Sequence, residues 1–127
     1  MGAIVMRAWK WGPSLLVMAL IFLASSTPGS ELPSFGIWDT LVKKGGHILG
    51  YALLGAAYLH GLTFARSLCR RSLFLAILFA GLYAITDELH QSFTPGRTPS
   101  PIDVGIDTIG AALGVGVLAW IRPRLTS

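Results

Sequence analysis

The sequence predicts an all-α fold: an integral membrane bundle of four transmembrane helices, in one domain over residues 1–127, with both termini on the cytoplasmic side. Three observations lead there. Only 13% of the residues are charged, about half the ~25% with which a soluble domain meets water. The hydrophobic residues, 53% of the chain, fall into four runs near the ~17–25 residues a helix needs to cross the hydrocarbon core. The basic residues gather in pairs and triplets at the ends of those runs, where membrane anchors belong. They form no patch suited to nucleic acid, which is not an expected partner.

The first run covers roughly residues 9–26. Arg7 and Lys10 lie at its start, and Trp9 and Trp11 suit the membrane interface. The same stretch, ending in A-S-S, also fits a cleavable signal peptide; the tryptophan pair favours retention as an anchor. The second run covers roughly residues 45–64 and the third 72–87. The third is short, so its helix must extend into the D-E-L-H-Q that follows. The fourth covers roughly residues 104–121. Apolar and polar residues do not alternate with period two, which argues against a transmembrane barrel.

Orientation follows from the basic residues of the short connections. With the N-terminus inside, Arg7, Lys10, Arg66, Arg70, Arg71, Arg122 and Arg124 are cytoplasmic, and Lys43, Lys44 and Arg97 are outside. The excess supports N-in, C-in. The three exceptions are the cations that lie beside the acidic residues. Cys69 is the lone cysteine, so no internal disulfide is possible, and beside Arg70 and Arg71 it reads as a bystander rather than a reactive or acylated thiol.

Four of the six acidic residues lie between Asp87 and Asp107. In four antiparallel helices, the end of the first, the start of the second, the end of the third and the start of the fourth share one membrane face. Ser25, Ser26, Lys43, Lys44, His47, Asp87, Glu88, His90, Gln91, Arg97, Asp103 and Asp107 are therefore expected near the outer interface. Lys44, His47, Tyr51 and Gly55 follow one helix face, as do Asp103, Asp107, Gly110 and Gly114. Those glycines predict a neighbouring helix close to the acidic face of the fourth span. Pro95-Gly96 predicts a type II turn that aims Arg97 at the cluster. Ser100 or Asp103 can cap the fourth helix.

Two long motifs carry a resemblance to a known family. "KGGHILGYALLG" fits K-x-x-H-x-x-x-Y-x-x-L-G. The stretch from Asp87 to Gly110 fits D-E-x-x-Q-x-F-x-P-G-R-x-x-S-x-x-D-x-x-x-[ND]-x-x-G. "LASSTPG", with its S-S-x-P, adds a shorter match. Together the chain resembles the VanZ-like family of small bacterial membrane proteins from about Leu20 onward. Asp107 stands where the family also carries asparagine. The resemblance implies a multi-pass protein of the bacterial cytoplasmic (inner) membrane and, through the family's founder, a link to resistance to the glycopeptide teicoplanin. It implies no particular reaction.

Two readings of the polar cluster stay open. In one, it binds an anionic envelope lipid or a lipid-linked peptidoglycan precursor. Lys44 and Arg97 then take phosphate or carboxylate, with Tyr51, Gln91, Ser100 and Asp107 as further binding residues. His47, Asp87, Glu88 and Asp103 are the candidate acids and bases if the ligand is also modified. In the other, the cluster is an ion-pair network in a non-catalytic binding or assembly factor. His47, His90 and the carboxylates are metal-ligand types, but no H-E-x-x-H or C-x-x-C spacing occurs and bases lie nearby. No metal and no other cofactor is expected. No serine has a G-x-S-x-G setting, and His60 reads as structural.

Overall fold

The computed structural model describes residues 1–26 and 36–126. Among them the four apolar runs form four helices: α1 (Gly2–Ser26), α2 (Asp39–Leu62), α3 (Arg70–Gln91) and α4 (Pro101–Thr126). Three segments, Gly2–Ser26, Arg70–Gln91 and Pro101–Arg122, are long and apolar enough to cross a membrane. α2 is less apolar: even beyond Lys43 and Lys44, its glycines, Tyr51, Tyr58, His47 and His60 dilute its apolar content. Its place explains the dilution. α2 packs against α1, α3 and α4, so Tyr51, Leu54, Tyr58 and Leu59 face protein. Pro28 of the S-S-x-P match lies outside the described residues.

α1 begins well before residue 9 and carries Pro13 in its interior. Proline has no N–H, so the Trp9 carbonyl loses the donor that residue 13 would have given it. His60 of α2 takes that place, with Nε2 3.0 Å from the Trp9 oxygen. The tautomer with hydrogen on Nε2 donates this bond. A proline in one helix is thus matched by a histidine in the next, which gives His60 the structural role its isolation suggested.

α3 does extend through D-E-L-H-Q. Its buried residues, Ser72, Ala76, Ala80, Ala84, Asp87, Glu88 and Gln91, follow the spacing of one helical face. Phe74, Leu78, Leu82, Ile85 and Leu89 point outward and are exposed. Small residues inside and large apolar ones outside reverse the pattern of a soluble protein and suit a lipid surround.

α2 and α4 approach backbone to backbone where glycines of one face Ile48, Ala52 and Ala111 of the other. A methyl group added at Gly114 would overlap the Ala52 backbone, 2.7 Å from its Cα. One at Gly110 would lie 2.8 Å from the Ile48 carbonyl oxygen, and one at Gly55 2.5 Å from that of Ala111. The glycine stripe of the fourth helix therefore admits α2, as its spacing predicts. The turn after α3 also forms as expected. Gly96 adopts a φ of 74°, and the Arg97 N–H donates to the Thr94 carbonyl at 3.2 Å.

Candidate functional site

The polar residues gather where α1 ends, α2 begins, α3 ends and α4 begins. Asp87 is at the centre, 4% exposed. The Ser25 hydroxyl of α1 donates to Asp87 Oδ1. The Tyr51 hydroxyl of α2 donates to Oδ2 at 3.0 Å. Gln91, one turn along α3, donates through Nε2 to Ser25 Oγ at 3.3 Å and to Asp87 Oδ2 at 3.5 Å. A buried carboxylate without partners costs several kcal/mol; three donors from three helices offset that cost here.

A second pair sits alongside. His47 Nδ1 lies 3.3 Å from Oδ1 of Asp107, which is 1% exposed. The glycine seam makes this possible, because Asp107 and Gly110 share the face of α4 that α2 approaches. His47 is partly exposed and reaches a cavity of about 410 Å³. Ser25, Lys43, Tyr51 and Arg97 line the same cavity, between apolar walls that include Ile21 and Val42. Arg97 is held there by its own bond, Nη2 donating to the Ala24 carbonyl of α1. Thr94 secures the turn below it, donating to the Ser25 carbonyl at 3.1 Å.

The architecture and the motifs fit a known family, and the comparison with family models agrees. The model described as VanZ/LLP1 matches residues 10–122. The chain belongs to the VanZ/LLP1 family. No curated protein and no solved structure matches it. The family and the three membrane-length helices make it a membrane protein.

In this VanZ/LLP1 protein the expected site residues divide into three groups. His47, Tyr51, Asp87, Gln91, Arg97 and Asp107 come together at or just behind the cavity. Glu88 and Ser100 turn elsewhere: the Ser100 N–H donates to Glu88 Oε2 at 2.9 Å. Both line a separate groove with Leu89, Ser92 and Pro99. Glu88 thus meets the N-terminus of α4, where a carboxylate complements the helix dipole. Ser100 also caps that helix, its Oγ accepting from the Ile102 N–H at 3.2 Å. Asp103 is half-buried in the first turn of α4. Lys44 is exposed, and Lys43 is the lysine that lines the cavity.

Ser25 and Thr94 were not among the expected binding residues, yet each is buried and ties two helices or a helix and a turn. The signal for Ser25 was there. A serine pair ending an apolar run has few uses other than to meet another polar group.

Proposed function

We propose that the cavity receives the anionic headgroup of an envelope lipid or of a lipid-linked peptidoglycan precursor. In this reading all four helices cross the bacterial inner membrane, both termini are cytoplasmic and the cavity opens at the outer face. The observation that carries it is the lining: Lys43 and Arg97 beside His47, with apolar walls for an acyl or isoprenoid chain. A guanidinium can grip phosphate through two parallel hydrogen bonds, and a lysine adds a point charge. The association of the family's founder with glycopeptide resistance supports a ligand from cell-wall assembly.

Chemistry on the bound headgroup is the stronger form of this proposal. His47 is the residue suited to it, since Asp107 behind the ring fixes its orientation and leaves the other nitrogen for the cavity. A second reading, a non-catalytic assembly factor, draws support from the Asp87 web, in which every donor comes from the protein itself. Mass spectrometry of lipids that co-purify with the protein tests the proposal. An anionic envelope lipid enriched on the wild type and lost from Arg97→Ala is the expected result. Equal lipid content in both, with the variant folded, would overturn it.

A further inference from the structure

His47, which lines the cavity, and the two buried carboxylates near it, Asp87 and Asp107, share one feature that headgroup binding leaves unused. One ring nitrogen of His47, one oxygen of Asp87 and one oxygen of Asp107 all lie within 4.8 Å of one another. They come from three different helices, so no sequence spacing announces them. Asp107 is 1% exposed; its Oδ1 faces His47 Nδ1 at 3.3 Å without hydrogen-bond geometry, and its Oδ2 has no partner among the described residues. Buried carboxylate oxygens without donors are rare and call for an explanation.

We infer that His47, Asp87 and Asp107 form a site for a divalent first-row cation of the manganese or zinc class. The donor set, one imidazole and two carboxylates without a thiolate, suits that class and disfavours copper(I). Two donors ~2.1 Å from a shared ion sit ~3.0–3.5 Å apart at tetrahedral or cis-octahedral angles. The 3.3 Å between His47 Nδ1 and Asp107 Oδ1 falls in that range. The widest separation allowed, 4.8 Å, closes by less than an ångström to the ~4.2 Å of two trans donors.

Charge decides between an ion and a proton. A proton shared by His47 and Asp107 serves Oδ1 alone and leaves Oδ2 without a donor. It also neutralises one of two carboxylates held close together. A divalent ion neutralises both and gives Asp107 a partner. Asp87 keeps its oriented lone pairs through Ser25, Tyr51 and Gln91, the outer-shell arrangement that metal-binding carboxylates use. Three protein donors leave coordination positions open, and His47 lines the same cavity as Lys43 and Arg97, which can hold an anion near the ion.

The inference does not depend on the lipid proposal, because the metal alone is the probe. The full chain, purified in detergent and stripped with chelator, is titrated with manganese(II) chloride. Free manganese is read by electron paramagnetic resonance, and retained metal by elemental analysis. One ion per chain is expected, with nitrogen hyperfine coupling from an imidazole in the pulsed spectrum. His47→Gln loses that coupling. Asp107→Asn weakens binding by more than the ~10–100-fold that a second-shell change costs. His60→Gln, at the far end of the bundle, leaves binding unchanged. Failure of the wild type to retain manganese or zinc overturns the inference, as does bound manganese without nitrogen coupling or an Asp107→Asn affinity equal to wild type. If Asp107→Asn does not fold, the wild-type spectrum alone decides.

Discussion

The glycine seam between α2 and α4 makes a graded prediction. A methyl group at Gly114 would lie 2.5 Å from the Ala52 carbonyl carbon and 2.7 Å from its Cα. Carbon atoms pack best at ~3.5–4.0 Å, so Gly114→Ala forces the helices apart by about 1 Å. The obstacle is backbone, which cannot turn aside as a side chain can. Overpacking of this kind costs about 1–3 kcal/mol, and the upper end applies here. Gly116 is the internal control: it lies on the same helix and a methyl group there meets nothing within 4 Å. Both substitutions gain ~0.5–1 kcal/mol of backbone entropy, so their difference isolates the seam. Gly55→Ala and Gly110→Ala, at 2.5 and 2.8 Å from carbonyl oxygens, should fall between. Gly81→Ala, whose nearest contact is the Thr108 side chain at 3.4 Å, should behave like Gly116→Ala. The assay is reversible unfolding in mixed micelles with increasing sodium dodecyl sulfate. The expected order of stability is Gly116 and Gly81 variants, then Gly110, Gly55 and Gly114. A Gly114→Ala protein as stable as Gly116→Ala would refute the close approach.

Two further predictions concern topology and the second acid. Cys69 is exposed, and the Ser72 backbone N–H beside it holds its thiol below the ordinary range; it lies at the end of the bundle away from the cavity. A membrane-impermeant maleimide should label it only after the inner membrane is opened, and labelling in intact spheroplasts would invert the proposed orientation. Glu88→Ala removes the acceptor of the Ser100 N–H and should lower stability by about 1–2 kcal/mol, with the lipid that co-purifies unchanged. Lipid lost without any loss of stability would return Glu88 to the ligand site.

The helices were legible because crossing hydrocarbon imposes long apolar runs, and the glycine stripe because only glycine lets two backbones touch. Their ends were less so. α1 starts early because Arg7 and Lys10 need not break a helix whose end reaches the interface, where long side chains snorkel. Pro13 lies inside the first apolar run, and only the structure shows that His60 takes the place of its missing donor. Within the site, single-helix periodicity related His47 to Tyr51 and Asp103 to Asp107. It carries no information on which helices adjoin, so the partnership of Ser25 with Asp87 and of His47 with Asp107 was not readable. The choice of Lys43 over Lys44 escaped for a similar reason. Neighbouring residues differ by about 100° around a helix, and the face that α1 and the Arg97 turn complete is set by packing.

The packing of the bundle and the placement of its charges have a common origin. On α3 the inward stripe of Ala76, Ala80 and Ala84 continues into Asp87 and Gln91. On α4, Gly114 and Gly110 continue into Asp107, and on α2, Gly55 continues into Tyr51 and His47. Each stripe is small where helices must touch and polar where they reach the same end. Close approach along the stripes therefore sets the distances between the polar groups. A gap opened at Gly110 lies one turn from Asp107 and widens its separation from His47, whereas a gap at Gly61, where Trp11 of α1 packs, lies at the opposite end. Substitutions along the α2–α4 seam should accordingly impair stability and cation binding together. Gly61 variants should lose stability while the cation affinity of the folded fraction persists. Equal loss of affinity from both ends would mean that the seam does not set the geometry of the site.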